Sequence, residues 1–220
     1  MSQDFLHASL LREFGIEHGF GVRGSEATPP EGLLHAHQVH GARVLTVPPL
    51  SLRPEGDALL TTRDGVAVGV FTADCVPVLV SLEGGEGVLA VHAGWRGSAL
   101  AVVEVAVQTL IKTIRCRPDD LVAALGPCIG ACCYEVDAPV RSAIADDGVF
   151  SASGRVGRYQ LDLRELNRRQ LLRAGLRPER IQLVGGCTSC DPTRYYSYRR
   201  DGSQGRLLHY VRCPGSPDSG

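Results

Sequence analysis

The sequence predicts a single α/β domain in which helices pack on the outside of a mixed β-sheet. Several short apolar segments with strand character precede the first long helical segment, which is typical of such an architecture. The chain has 220 residues, of which 44% are hydrophobic and 21% charged, as in ordinary water-soluble globular proteins. No linker, repeat or low-complexity tract interrupts it. We therefore predict one domain over residues 1–220, long enough to bury its core without disulfides.

Strand segments are recognised as runs of β-branched and apolar residues bounded by turn residues. The first residues predict a short helix and then a strand near 19–22, followed by a loop rich in Gly and Pro. Further strands are predicted, in chain order, at 42–47, 57–62, 65–75, 87–95, 121–126, 180–185, 193–200 and 206–211. The stretch FTADCVPVLV, residues 71–80, also has the composition of a buried strand, yet Asp74 and Cys75 lie in its middle.

Three later segments predict helices. Residues 98–114 carry apolar residues close to helical spacing, with Ser98 as the candidate N-cap. Residues 138–147 predict a short helix. Residues 161–175 predict an amphipathic helix that ends at Gly175.

The net charge and the hydropathy of the chain indicate which classes of binding partner to expect. The net charge of −1 gives no general attraction to nucleic acid or to anionic membranes. The apolar runs are shorter than a membrane span requires, and the first residues lack the features of a signal peptide. We therefore expect a cytoplasmic monomer whose partners are small molecules, not nucleic acid or membrane.

The eight cysteines are not spaced like a disulfide framework. One alternative is a structural zinc knot in which Cys128, Cys132 and Cys133 join the pair Cys187 and Cys190. A second C-x-x-C pair is missing from that arrangement, so packed, reduced thiols are favoured. We expect neither a disulfide nor a second metal among these five residues.

Cysteine and histidine residues near strand ends suggest a metal site. HAHQVHGARV supplies three histidines, His35, His37 and His40, while Cys75 and His92 lie in later segments. Two imidazoles and one thiolate form a suitable ligand set for Zn²⁺, and three protein ligands leave a fourth position open for water or substrate. By spacing alone, packed cysteines explain the pattern as well.

Two further segments suggest anion or substrate binding. In HAGWRGS, glycines precede a predicted helix start, so Arg96, Gly97 and Ser98 could hold an anion. The alternative is a tight strand-to-helix turn with an exposed arginine. Arg199 and Arg200 precede a predicted turn, where they either form a surface for a polar or anionic substrate or are simply solvated.

These segments together resemble the YfiH-type laccase-domain family, first described as multicopper polyphenol oxidoreductases. The motifs, in family order, are QVHG, TADCVPVLV, AVHAGWRGS, GPCIGACCYEV, CT and SYRRDG followed by GR. The resemblance implies an α/β/β/α sandwich related to toxin-type cysteine hydrolases. It also implies that His40, Cys75 and His92 bind Zn²⁺, or copper in some preparations. The segment at 25–37 is shorter than in family members, which puts the pocket wall and substrate preference in question.

The resemblance implies several activities. The leading one is a zinc-dependent purine nucleoside enzyme that takes nucleoside and phosphate, catalysing phosphorolysis of adenosine, inosine or guanosine and deamination of adenosine. In it, Cys75, His92 and Asp74 are candidate catalytic residues, although the role of Asp74 is open. The alternatives are a Cys–His hydrolase of amides or peptidoglycan precursors, a non-catalytic metal-binding protein and a copper-dependent polyphenol oxidase. The last is ranked lowest, because seven histidines and a single methionine supply few copper ligands.

Overall fold

The computed structural model describes residues 5–47, 54–202 and 205–214. Its strands are β1 Phe5–Leu6, β2 His18–Gly21, β3 Val44–Val47, β4 Ala58–Thr61, β5 Ala67–Thr72, β6 Val76–Leu82, β7 Val88–Ala93, β8 Leu121–Leu125, β9 Glu135–Asp137, β10 Phe150–Ala152, β11 Arg158–Leu161, β12 Ile181–Leu183 and β13 Leu207–Arg212. Its α-helices are α1 Ser9–Glu13, α2 Trp95–Ala99, α3 Val102–Ile114, α4 Ala138–Ala143, α5 Leu163–Arg173 and α6 Tyr198–Asp201.

The strands of the described residues form three sheets. A six-stranded sheet has the order β12-β8-β6-β7-β4-β3 and is mixed, because its two outer pairs are parallel and its inner pairs antiparallel. A four-stranded antiparallel sheet has the order β1-β2-β13-β5. A small sheet, β10-β11-β9, completes the set. The predicted α/β class with mixed sheets is confirmed.

The six-stranded sheet is buried on both faces, and its side chains alternate between two cores. Val78 and Val80 of β6 belong to the core shared with α3 and α5, whereas Leu79 belongs to the core shared with α1 and the four-stranded sheet. All three side chains are fully buried. A strand buried on both faces shows a continuous apolar run instead of alternation, which explains the composition of VPVLV.

The packing therefore gives three clear layers: helices α3 and α5, the six-stranded sheet and the four-stranded sheet. The 3₁₀ turn Ser25–Ala27 lies beside β13, where the Ser25 hydroxyl accepts the backbone N–H of Leu208 at 3.0 Å. The fourth layer of an α/β/β/α sandwich stays a prediction. No helix within the described ranges is long and apolar enough to cross a membrane.

The stretch at 71–80 is two strands joined by a turn, so the prediction of one strand was wrong there. β5 ends at Thr72 and β6 begins at Val76. Asp74 has a φ of 87°, a conformation that ends a regular strand. The turn places Asp74 and Cys75 at the edge of the fold, where both contact a cavity.

The predicted helix at 98–114 is also divided, and Ser98 is not its N-cap. α2 has Gly94 as its N-cap, and α3 begins after Ala101, whose φ of 57° breaks the helix. Ser98 lies inside α2, where its buried hydroxyl donates to Asn167 Oδ1 of α5 at 3.0 Å. Alanine has a high helix propensity, so nothing in the sequence marked this break.

The expected strand at 193–200 was wrong as well. Asp191 Oδ1 accepts the backbone N–H groups of Thr193 and Arg194, and this turn leads into α6, whose N-cap is Ser197. The Ser197 hydroxyl accepts the N–H of Arg200 at 3.2 Å. Side-chain caps of this kind initiate a short helix in place of a strand.

Candidate metal centre and its cavity

Three side chains from separate segments converge at one end of the six-stranded sheet. His40 precedes β3, Cys75 lies in the β5–β6 turn, and His92 lies near the end of β7. The potential ligand atoms of these residues all lie within 4.8 Å of one another. The two imidazole rings meet edge to face, with centroids 4.7 Å apart. His92 is buried, whereas Cys75 is partly exposed and His40 exposed.

The carboxylate of Asp57 contacts both His40 and His92. The sequence did not identify Asp57 as a site residue. Its fully buried carboxylate accepts a hydrogen bond from His92 Nδ1 at 2.8 Å. The same carboxylate accepts the backbone N–H groups of His40 at 2.9 Å and Gly41 at 2.7 Å. The first contact leaves His92 Nε2 available for the site, and the others stabilise the positive φ of 60° at His40.

Gly94 leaves the space in which the ligands approach one another. A Cβ atom at this position would lie 2.9 Å from Cys75 Sγ and 2.9 Å from His40 Nδ1. Both distances are shorter than a carbon atom tolerates. The glycine at the β7–α2 junction is therefore required by the site itself and not by backbone conformation, since its φ of −78° suits any residue.

Electrostatics favour the charged forms of Cys75 and His92. Burial opposes ionisation of Cys75, but the charge of His92 and hydrogen bonds from His40 and His92 lower the pKa of the thiol to about 6. Burial likewise opposes protonation of His92, but the thiolate and Asp57 raise its pKa to about 9. Burial also disfavours ionised Asp57, yet the hydrogen bonds from His92 and Gly41 bring its pKa below the usual range.

This donor set fits a resident metal ion. Two imidazoles and a thiolate match Zn²⁺, which prefers nitrogen and sulfur ligands in tetrahedral geometry. The low pKa of Cys75 supplies the thiolate that a metal requires. Asp57 fixes the orientation of His92, as carboxylates commonly do for metal-bound histidines. Three protein ligands leave a further position open toward the cavity.

A cavity of about 600 Å³ opens from the three side chains. Apolar and aromatic side chains form part of its walls, among them Phe71, Ile129, Tyr134, Leu163 and Tyr198. Three arginines, Arg96, Arg199 and Arg206, also line it. The cavity therefore combines a metal-ligand group, flat apolar surfaces and positive charge, which suits a small aromatic ligand that carries or accompanies an anion.

The anion segment predicted at 96–98 is only partly at the cavity. Arg96 lines it, with its guanidinium stacked 4.5 Å from the centroid of the Trp95 ring. Gly97 and Ser98 are not among the residues that line the cavity, since Gly97 lies against the carbonyl oxygen of Gly41 and Ser98 is buried against Asn167 of α5. Their role in anion binding stays a prediction.

Of the two arginines of α6 that the sequence suggested for substrate binding, only Arg199 lines the cavity. Arg199 lines the cavity, lies 5.0 Å from the centroid of the Tyr134 ring and donates to the carbonyl oxygen of Glu135 at 2.7 Å. Arg200 points away and donates to the carbonyl oxygens of Thr188, Ser189 and Tyr195 as well as to Asp201. These contacts make Arg200 a support for the loop, and its role in substrate binding stays a prediction.

Asp74 lies beside Cys75 with its side chain largely buried. Its Oδ1 accepts the Thr188 hydroxyl at 2.6 Å, and its Oδ2 accepts the backbone N–H of Arg199 at 2.7 Å. Its backbone carbonyl accepts the N–H of Ile129 at 2.9 Å. These contacts favour a positioning role, in which Asp74 holds three cavity-wall segments around the turn that carries Cys75.

Other histidines are engaged elsewhere. His35 stacks edge to face on Phe71, with centroids 5.2 Å apart, and His37 is exposed. His18 and His209 are buried and hydrogen-bonded at both ring nitrogens. The group at the cavity therefore consists of His40 and His92 with Cys75, which is a single-ion ligand set.

The fold and the site together define a laccase-like domain with a cavity-lining His–Cys–His group. A family model described as multi-copper polyphenol oxidoreductase laccase matches residues 22–213, and the chain belongs to this family. A purine nucleoside phosphorylase of Xylella fastidiosa is 39% identical over 188 residues, which are 80% of this chain and 71% of the relative. The purine nucleoside phosphorylase YfiH of Escherichia coli is 36% identical over 185 residues, with 79% and 71% covered.

Solved structures agree with this assignment. The crystal structure of YlmD from Geobacillus stearothermophilus matches with a TM-score of 0.86 at 28% identity, covering 97% of both chains. That of the hypothetical protein YfiH from Bacillus licheniformis matches with a TM-score of 0.86 at 25% identity, covering 96% of this chain and 97% of that one. The resemblance stated from the sequence motifs is thereby confirmed.

Proposed function

We propose that this protein is a zinc-dependent purine nucleoside phosphorylase, with deamination of adenosine as a second reaction of the same cavity. The observation that carries the proposal is the joint lining of one cavity by a His–Cys–His group, aromatic walls and arginines. The names of the relatives support phosphorolysis in particular. Zn²⁺ held by His40, Cys75 and His92 would supply a Lewis acid that faces the substrate.

We expect the residues that line the cavity to bind both substrates of phosphorolysis. In this reaction a phosphate oxygen bonds to C1′ of the ribose, the bond from C1′ to the purine nitrogen breaks, and its electron pair leaves with the purine. Flat side chains such as Phe71 and Tyr134 offer stacking surfaces for the purine. Arg96, Arg199 and Arg206 offer guanidinium groups, which bind phosphate oxygens bidentately.

The test is Arg96→Ala. We expect it to reduce phosphorolysis of inosine or adenosine on the order of 10–100-fold, the loss of about 1.5–3 kcal/mol for a charge-assisted contact. Adenosine deamination uses no phosphate and should fall less. Zinc content should not change, because Arg96 is no ligand. Purine release with and without phosphate, and ammonia release from adenosine, are measured at matched zinc occupancy.

Lys112→Ala is the matched control, because it removes one positive charge from the exposed side of α3. It should leave both reactions unchanged. Equal losses of the two reactions in Arg96→Ala would contradict the phosphate assignment. Purine release that does not depend on phosphate would contradict phosphorolysis altogether.

A thiol hydrolase is the second candidate, and one observation favours it. Without metal, Cys75, His92 and Asp57 form a chain of contacts in which His92 is hydrogen-bonded to Asp57 and paired with a thiol of low pKa. A base oriented by a carboxylate and paired with a thiolate is the arrangement of a nucleophilic cysteine. The same thiolate is a poor nucleophile once it ligates zinc, so metal occupancy separates the two candidates.

The separating measurement is alkylation of Cys75 as a function of pH. In zinc-free protein the thiolate fraction rises with pH through about 6, so labelling by iodoacetamide should be half-maximal there. An ordinary cysteine has a pKa of about 8.5 and reaches half-maximal labelling near that pH. Zinc should suppress labelling of Cys75 across this range, as read by peptide mass spectrometry. Rapid labelling at full zinc occupancy would favour the hydrolase.

A further inference from the structure

Four cysteines outside the cavity converge on a second point near the surface. Cys132 and Cys133 lie in the turn before β9, and Cys187 and Cys190 lie in the turn after β12. Their four Sγ atoms, here called the four-cysteine cluster, all lie within 4.8 Å of one another. Cys190 Sγ is 3.6 Å from Cys132 Sγ and 3.4 Å from Cys133 Sγ. Cys128, which the sequence offered as a possible member, is instead buried against Arg164.

These spacings match a single tetrahedral ion. Zn–S bonds of about 2.3 Å at tetrahedral angles separate the sulfur atoms by about 3.8 Å. Disulfides would need separations of about 2.05 Å, and all eight cysteines are free thiols in the structure. Four sulfur ligands in tetrahedral geometry are the donor set of zinc or iron. We favour zinc over iron because zinc has no redox chemistry and requires no redox partner.

Backbone N–H groups surround the sulfur atom of Cys187 in the cluster. The backbone N–H of Gly130 donates to Cys187 Sγ at 3.1 Å. The backbone N–H groups of Ser189 and Cys190 also point to this sulfur. A zinc ion with four thiolates carries a net charge of −2, and Arg164 and Arg200 lie against the same turn, donating to the carbonyl oxygens of residues 185, 186, 188 and 189.

We propose that the four-cysteine cluster is a structural Zn²⁺ site, distinct from the ligand group at the cavity. The sequence argued against a second metal because a second C-x-x-C pair is missing. The adjacent Cys132 and Cys133 replace that pair. The fold brings them to Cys187 through a short parallel bridge between Cys128 and Cys187, in which Thr188 donates its N–H to the carbonyl oxygen of Cys128 at 2.9 Å.

The site would join the two turns that support one cavity wall. Thr188, between the two cysteines of the second turn, donates its hydroxyl to Asp74 at 2.6 Å. Ile129 and Tyr134, on either side of the first turn, line the cavity directly. A zinc ion would hold these turns together where backbone hydrogen bonds between them are few.

The experiment counts metal instead of activity, so it does not depend on the proposed function. The full-length His40→Ala variant, purified with reductant, lacks one ligand at the cavity. We expect it to retain about one equivalent of zinc by elemental analysis, and adding Cys190→Ser should remove that zinc. Cys116→Ser in the same background is the control and should retain it. Co²⁺ added to metal-free His40→Ala protein should give strong thiolate-to-cobalt charge-transfer bands and tetrahedral d–d bands.

Equal zinc contents with and without Cys190→Ser would overturn the proposal. If Cys190→Ser does not fold, the Co²⁺ spectrum of His40→Ala decides, and the absence of a multi-thiolate signature overturns the proposal. The proposal would also be overturned if the four cysteines of zinc-free protein were recovered as disulfides and bound no Co²⁺ after reduction.

Discussion

At the scale of single residues, Asp57 explains why three distant side chains share one geometry. One carboxylate holds the ring of His92 and the backbone of the loop that carries His40. It therefore orients both imidazoles without contacting the metal position itself. Partners of this kind commonly change metal affinity 10–100-fold when they are removed.

Asp57→Asn tests this role. The amide retains the size of the carboxylate but loses its charge and offers one acceptor oxygen in place of two. We expect zinc affinity at the cavity to fall about 10–100-fold, measured by competition with a chromophoric chelator. Asp119→Asn, which removes a surface carboxylate paired with Arg177, should leave affinity unchanged. Wild-type affinity in Asp57→Asn would show that the backbone alone positions the histidines.

At the scale of elements, the site is built where strands end. β5 and β6 are joined by the turn that carries Cys75, and β7 continues from His92 into Gly94 and α2. Strand ends at one edge of a sheet lie close together, so residues far apart in sequence meet there. The close approach at Gly94 leaves no room for a side chain between Cys75 and His40 at this junction.

Gly94→Ala is expected to weaken zinc binding while leaving the fold intact. Its backbone conformation accepts alanine, so helix content by circular dichroism should not change. The new methyl group would lie 2.9 Å from two ligand atoms and force them apart. Thr113→Ala, on the exposed side of α3, is the control. Unchanged zinc content in Gly94→Ala would mean that the ligands move aside freely.

Local patterns predicted most elements, because buried strands and amphipathic helices carry periodic signals. The breaks at Asp74 and Ala101 carry no such signal, since each depends on a positive φ that tertiary contacts impose. The convergence of His40, Cys75 and His92 was anticipated through family motifs. Asp57 was missed because a lone carboxylate at the start of a strand has no distinguishing pattern. The four-cysteine cluster was missed because only the fold brings residues 132 and 190 together.

At the scale of the whole molecule, the four-stranded sheet holds buried polar contacts as well as apolar packing. His209 of β13 accepts the N–H of Gly21 at Nδ1, 3.2 Å away, so its neutral ring donates from Nε2 to Thr72 Oγ1, 2.9 Å away. His18 accepts the N–H of Ala8 at Nε2 and donates from Nδ1 to the carbonyl oxygen of Ile16. Protonation of either ring would break a hydrogen bond in the interior.

These histidines predict a loss of stability in mild acid. Burial lowers the pKa of His18 to about 4 and that of His209 to about 3, below the ordinary value of 6.5. Between these values the unfolded chain binds more protons at His18 and His209, so the stability that their neutral rings contribute is complete above about pH 6.5 and falls as pH decreases. Each histidine should lower the free energy of unfolding by about 1.4 kcal/mol per pH unit in that window.

Urea unfolding between about pH 7 and pH 5 measures this slope. His209→Asn removes one titrating group and should give a shallower dependence, whatever its stability at neutral pH. His37→Asn, at an exposed position, should keep the wild-type slope. Parallel curves for all three proteins would show that protonation of His209 is not what destabilises the fold.

The turn between β5 and β6 has a consequence for communication across the molecule. Both of its consecutive residues line the cavity, and Asp74 is also hydrogen-bonded to Thr188, so the turn connects the cavity to the loop that carries Cys187 and Cys190. Thermodynamic linkage makes any coupling between two such sites reciprocal. If zinc at the four-cysteine cluster tightens nucleoside binding by some factor, then nucleoside must tighten zinc at the cluster by the same factor. The cell's supply of one ligand would then set the protein's sensitivity to the other.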